Sequence, residues 1–224
     1  MRIVSIILSV IALIRPCIRD ERKLVALTFD DGPHPEYTAK ILKILYENDV
    51  RATFFVIGSN AERYPGLVRA EYDLGNEIGN HTYSHMVCVK DSDRMISDEI
   101  ENADKIISDI TGEVPTLFRP PEGKIGGISH DLYKSLGKRI ILWDVDTRDW
   151  AHTPVDKIVK NVKENVRNGS VILFHDFVKP PSPTPESLGI IIPYLRENGY
   201  EFVTVSELLE DVAESGVRPS FFIG

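Results

Sequence analysis

The chain has 224 residues, 42% of them hydrophobic and 27% charged, enough for one sizeable core and unlike a disordered or fibrous sequence. A net charge of −8 leaves no basic stripe for phosphate, which excludes nucleic acid as the expected partner. Two cysteines, Cys17 and Cys88, are too few for a disulfide framework.

Met1-Arg2 opens onto an almost unbroken apolar run over residues 3–14, followed by Arg15-Pro16-Cys17. The run is shorter than the roughly 20 residues that a membrane span requires. It suits the hydrophobic segment of a signal peptide, with Arg2 as a minimal basic start. The small-x-small cleavage signature is poor, and Arg15-Pro16 argues against lipidation of Cys17. A buried first strand is the competing reading. Residues 1–20 are accordingly expected to be a hydrophobic leader, cleaved or kept as a membrane anchor, and the protein is expected to be exported. Residues 21–212 form the expected folded domain and 213–224 a C-terminal tail.

Beyond the leader, apolar strands alternate with amphipathic helices. Residues 24–29 read as a strand and 38–48 as a helix with Ile41, Leu42, Ile44 and Leu45 on one face. Residues 53–57 make a β-branched and aromatic strand, 61–74 a helix, and 77–79 a short strand that feeds His81. The spacing of Ile96, Ile100, Ala103, Ile107 and Ile110 predicts a helix over 93–111. Strands at 117–118 and 140–143 flank a helix at 130–136. A helix at 154–166 starts with proline, 171–174 is a buried strand, and the proline-rich stretch 179–185 reads as a stiff rim loop. A helix at 188–198 ends at Gly199, the last strand is 202–203, and Thr204-x-x-Glu207 is a capping box opening a final helix. Such alternation predicts an α/β fold with a parallel sheet or barrel.

Asp30-Asp31, Arg119, Asp146 and His175 all fall at or just past the carboxyl ends of predicted strands. In a parallel barrel those ends converge on one face, where active sites are built. Asp31, His81 and His85 would then offer one oxygen and two nitrogen donors to a divalent metal, the usual complement of a catalytic zinc site with a position left open. The same donors accommodate cobalt or nickel. Cys88, three residues after His85, reads as a small buried hydrophobe rather than a fourth ligand. Gly32-Pro33 supplies a turn that lets Asp30 reach the same pocket as a base, with Arg119 holding it ionised. His175 is the candidate acid, Asp149 its hydrogen-bond partner, and Trp150 and Leu173 are candidate walls of a small apolar pocket.

Five segments in order resemble the polysaccharide deacetylases, the NodB-homology family also called carbohydrate esterase family 4. They are Thr28-Phe29-Asp30-Asp31-Gly32-Pro33, His81-Thr82-Tyr83-Ser84-His85, Arg119-Pro120-Pro121-Glu122-Gly123, Asp146-Thr147-Arg148-Asp149-Trp150 and Leu173-Phe174-His175. The resemblance covers residues 24–209. It implies a distorted (β/α) barrel of seven strands and metal-dependent removal of N-acetyl groups from sugars. It makes Asp30 the base, Asp31, His81 and His85 the metal ligands, Arg119 the residue that steadies the base, and His175 the acid tethered by Asp149. Leu173 and Trp150 would accommodate the acetyl methyl, and the backbone N–H at Glu122 would meet the oxyanion. Many relatives carry tyrosine where Glu122 stands, so the side chain at the mouth differs while the backbone donor does not.

The expected substrate is an N-acetylhexosamine polymer, peptidoglycan or a chitin-like oligosaccharide. Two other readings remain open to test: a deacylase of small non-sugar amides on the same fold, and a carbohydrate-binding module without catalysis. The second should lack a ligand, the base or the acid, and none is missing from the sequence.

Overall fold

Parity along the strands explains the architecture. Strand β1 (Lys23–Asp30) is buried at every position after Lys23, because a central parallel strand is covered on both faces. Its odd-numbered residues Val25, Leu27 and Phe29 join the larger apolar cluster with Ile41, Leu45, Phe54, Ile172 and Ile191. Its even-numbered residues Leu24 and Ala26 join a second cluster with Phe55, Leu117, Ile141 and Val171. The first cluster is sheet against helices. The second gathers residues from strands far apart in the sheet, which requires the sheet to curl around them.

The computed structural model describes residues 22–89, 92–126, 128–215 and 222–223. The apolar leader, Cys17 and most of the expected tail lie outside them. After β1 come α1 (Tyr37–Glu47), β2 (Thr53–Val56), α2 (Gly58–Arg63), α3 (Pro65–Asp73), β3 (Glu77–Asn80) and α4 (Asp93–Thr111). They are followed by β4 (Leu117–Phe118), α5 (His130–Ser135), β5 (Arg139–Ile141), β6 (Val145–Asp146), α6 (Val155–Asn165) and β7 (Ser170–His175). The chain ends with α7 (Thr184–Glu197), β8 (Tyr200–Phe202), α8 (Val205–Ser215) and β9 (Phe222–Ile223). Seven parallel strands run in the order β6-β7-β1-β2-β3-β4-β5 and form a curled half-barrel. Strand β8 lies parallel to the first half of β1, and β9 adds an antiparallel edge to β5.

Local chemistry sets most boundaries. Ser92 caps α4 by accepting from the Met95 N–H, and Gly112 closes the helix at φ 87°, a conformation that costs glycine little. The capping box at α8 forms as expected, Thr204 N–H donating to Glu207 Oε2 at 2.9 Å and Glu207 N–H to Thr204 Oγ1 at 3.3 Å. The single helix expected over 61–74 is two. Tyr64 takes φ −130°, ψ 53° between α2 and α3, because Pro65 lacks an N–H and disfavours helical geometry in the residue before it. Helix α7 starts at Thr184, four residues earlier than expected, with Pro185 in its first turn, where a missing N–H costs nothing.

Candidate functional site

Inside the half-barrel the parity of β1 continues from Leu24 and Ala26 to Thr28 and Asp30, so a polar pair stands above the apolar floor. Arg119, one residue past β4 and fully buried, satisfies both. Its Nη1 donates to Asp30 Oδ1 at 2.7 Å and to Thr28 Oγ1 at 2.9 Å. Its Nε and Nη2 donate to the carbonyls of Ile141 and Leu142. The guanidinium lies 4.1 Å from the centre of the Phe55 ring, a cation–π contact strengthened by exclusion of water. Phe55 keeps that position because its partner across the sheet is Gly79, where a Cβ would stand 2.5 Å from the ring. Burial lowers the Arg119 pKa from its ordinary value, with Asp30 opposing that shift.

Asp31 leaves the strand in the left-handed region at φ 75°. The turn that brings two adjacent carboxylates to one pocket thus begins at Asp31 and continues through the cis Gly32-Pro33 pair expected to make it. Asn60 Nδ2 donates to the Asp31 carbonyl at 2.8 Å, and Ile57 N–H donates to the Gly32 carbonyl at 3.0 Å. His81 and His85 sit on a loop after β3. Asn80 anchors this loop, accepting from the Thr82 N–H and donating to Ile100 O and Asp104 Oδ1 on α4. Ser84 N–H and Oγ both donate to Glu99.

Asp31 Oδ1 lies 3.4 Å from His81 Nε2 and 3.2 Å from His85 Nε2. One ligand atom from each of the three residues falls within 4.8 Å of the others. His81 Nδ1 is 2.6 Å from the Arg119 carbonyl; a carbonyl only accepts, so Nδ1 carries the proton and Nε2 presents its lone pair to the pocket. Asp31 Oδ1 is buried without a hydrogen-bond partner among the described residues. A buried, orphaned carboxylate oxygen flanked by two imidazole nitrogens fits a divalent cation, and the donor set suits zinc. Burial raises the Asp31 carboxyl, but the two imidazoles beside it, His81 and His85, outweigh that and hold the group well below the usual carboxylate range. His81 is 2% exposed and His85 35%, so the pocket opens to solvent on the His85 side.

Strand β7 pairs with β1 in register Asp30↔His175, which sets His175 across from Asp30. Its Nδ1 lies 2.8 Å from Asp149 Oδ1 and its N–H donates to Asp149 Oδ2 at 2.8 Å. Asp149 also accepts from the Trp150 N–H and from Thr184 Oγ1 at 2.6 Å. Four donors converge on one fully buried carboxylate, which fixes the imidazole. Burial depresses the His175 pKa, yet the Asp149 hydrogen bond and charge more than reverse that and push it up to about 9.

The remaining expected residues divide. Leu173 is buried below His175 on the same inner parity. Trp150 is 51% exposed, so it lies at the rim rather than as a closed wall. Glu122 adopts φ 57° in the turn after Arg119-Pro120-Pro121, and its carboxylate pairs with Lys124 at 2.5 Å. Asp146 serves its own turn, accepting from the Arg148 N–H at 2.9 Å. Cys88 is buried with Ile96, Ile100 and Phe118. Sequence reading missed Thr28, Asn80, Thr184 and Asp176, whose parts depend on tertiary contacts. The Asp176 N–H donates to the Asp30 carbonyl, and its carboxylate accepts from Thr38 beneath Gly32, where any Cβ would strike it. A cavity of about 270 Å³ opens at the other end of the sheet, beside Asn76, Glu77 and Thr116, and none of these site residues lines it.

Known proteins share this fold and sequence. A family model described as polysaccharide deacetylase matches residues 18–141. A peptidoglycan-N-acetylglucosamine deacetylase of Bacillus cereus is 41% identical over 192 residues, covering 85% of this chain and 90% of its own. The structure of the peptidoglycan deacetylase PdaC from Bacillus subtilis superposes with TM-score 0.80 at 36% identity, over 89% of this chain and 96% of that one. A family 4 acetyl xylan esterase from Clostridium thermocellum, in complex with a cobalt ion, gives TM-score 0.78 at 37% identity over 88% and 93%. Other curated relatives are longer, and the chain spans 39–40% of their length. The chain belongs to the polysaccharide deacetylase family, a family of enzymes.

Proposed function

We propose that the chain removes acetyl groups from N-acetylhexosamine residues of peptidoglycan or a chitooligosaccharide, by metal-dependent amide hydrolysis. One observation carries the reading. A caged carboxylate with an unpartnered oxygen, a second carboxylate paired to a buried arginine, and a histidine lifted to about 9 share one mouth. The names of the relatives support the substrate class.

A divalent ion held by Asp31, His81 and His85, zinc foremost with cobalt or nickel as alternatives, would supply Lewis acidity and a water whose pKa falls from 15.7 toward about 7 to 9. Asp30 is the base. Its Oδ1 is committed to Arg119, and its Oδ2, 3.8 Å from His81 Nε2, takes the proton of the attacking water. The Glu122 backbone N–H donates to the oxyanion as the acetyl carbon becomes tetrahedral. His175 Nε2 then gives its proton to the leaving nitrogen, without which the intermediate would collapse backwards. Asp149 keeps Nδ1 protonated and the ring aimed. Leu173 below and Trp150 beside the mouth receive the acetyl methyl. The products are acetate and a free amino sugar.

The grouping of Asp31, His81 and His85 beside an arginine-paired Asp30 that lies across from His175 supports catalysis over a non-catalytic binding module. The apolar run over residues 3–14 supports export and residence outside the cell membrane, and residues 21–212 are read as one catalytic domain. Acetate and free amine released from chitooligosaccharides, peptidoglycan fragments and small acetamides should be measured with and without chelator. The reading predicts release from the sugars, its loss on chelation and its return with Zn²⁺. Release from small amides alone would replace the substrate, and chelator-insensitive release would overturn the metal assignment.

A further inference from the structure

Beyond the reacting groups, the loops that continue β1 and β7 meet again. Phe177, two residues after His175, is 42% exposed, although the residues on either side of it, Asp176 and Val178, are buried. Its backbone is thus fixed, and its exposure is not that of a slack loop. The Phe177 ring stacks on His34 with centroids 5.0 Å apart and planes within 17°. His34 stacks in turn on Tyr37 at 5.3 Å and 26°. The stack is braced from within: His34 Nδ1 accepts from the N–H groups of Glu36 and Tyr37, Tyr37 Oη accepts from the Ser182 N–H, and the Lys40 ammonium lies over the Tyr37 ring. One end of the column is covered and the other is open.

A braced aromatic ring with one face free offers an apolar surface of fixed orientation for another flat apolar face. With one face of Phe177 occupied by His34, its exposure belongs to the opposite face and edge. The position is specific as well. Asp30 and His175 are partners across β1 and β7, and two residues of chain reach at most about 7 Å, so the backbone that carries the open ring lies within one sugar's length of that of His175. Trp150, after β6, occupies a different loop.

We propose that Phe177, backed by His34 and Tyr37, is a stacking platform for the pyranose next to the one being deacetylated. The inference rests on the glycan reading above and adds to it a second sugar subsite, so oligosaccharides should be preferred over single sugars. The aromatic face meets the C–H face of the ring, which suits an uncharged hexosamine and requires no further polar partner.

The test compares wild type with Phe177→Ala and Phe177→Tyr on the N-acetylglucosamine monosaccharide and pentasaccharide. Loss of one aromatic stacking contact should raise KM for the pentasaccharide about three- to tenfold, with kcat held and little change for the monosaccharide. Phe177→Tyr should restore the wild-type KM. Calorimetry with the pentasaccharide on chelated protein, where no turnover intervenes, should show the same weakening. Equal KM values for wild type and Phe177→Ala, or an equal loss on both substrates, would overturn the subsite while leaving the deacetylase reading intact. Wild type that neither binds nor deacetylates either sugar would overturn both.

Discussion

Asp30 at the mouth and Glu71 on α3 are both buried carboxyl groups, and the molecule treats them in opposite ways. Asp30 has Arg119 at 2.7 Å, and that arginine is satisfied by two carbonyls, a hydroxyl and an aromatic face. Both Glu71 oxygens lack a hydrogen-bond partner among the described residues. Burial, reinforced by the charge of Asp176, pushes the Glu71 carboxyl well above its usual range. A charge kept inside protein must be paired, and an acid without a pair takes up a proton instead. Burial alone therefore does not mark function. The partner does.

The contrast can be broken first at the mouth. Asp30→Asn removes the charge that Arg119 protects, and acetate release should fall about 10²–10⁴-fold, the usual contribution of a positioned base, while zinc still binds. Near-full turnover with metal in place would reassign the base.

Arg119→Met leaves Asp30 in the condition of Glu71, buried and unpaired. Chemical denaturation should show a loss of about 3–5 kcal/mol, and combining it with Asp30→Asn should recover part of that loss. Equal instability of the single and double variants would mean that the pair is not what Arg119 contributes.

The acid side responds to pH. His175 sits at about 9, above its ordinary 6.5, so its charged form adds stability that is complete below the unfolded value and disappears as pH rises through about 9. The alkaline limb of kcat/KM should report the same proton. Asp149→Asn removes the group that raises it, so the limb should move to lower pH and the loss of stability above neutrality should flatten. An unmoved limb would exclude His175 as the acid.

The smallest effect is expected at Glu71. Glu71→Leu removes an unpartnered buried acid that lies near the Asp176 carboxyl and should stabilise the fold by about 1–3 kcal/mol. The folded pKa is raised, so the cost is absent below the unfolded value and grows as pH rises toward the folded one. Thermal unfolding should show a larger gain at pH 8 than at pH 5.

What the sequence made legible follows the same physics. Strands β1, β2 and β7 were readable because a centre strand is apolar on both faces, and α4 because Ile96, Ile100, Ala103, Ile107 and Ile110 repeat at helical spacing. The five motifs pointed to the candidate site because metal ligation and proton transfer would require particular residue types near strand ends. Val145–Asp146 and Phe222–Ile223 are too short to carry a period, and only their neighbours make them strands. The roles of Thr28, Asn80 and Asp176 were hidden because threonine, asparagine and aspartate suit any loop until a distant partner arrives. Beside the legible Gly32-Pro33 turn, the left-handed backbone of Asp31 stayed hidden, since local propensity favours glycine for it and the bracing by Ile57 and Asn60 is tertiary.

The central claim is that Asp31, His81 and His85 close on a single cation. Anomalous diffraction at the zinc edge from a crystal soaked in Zn²⁺ tests it directly. One peak should appear about 2.0–2.2 Å from Asp31 Oδ1 and the Nε2 atoms of His81 and His85, with Asp30 still on Arg119. A peak elsewhere, with the two imidazoles turned apart, would contradict it.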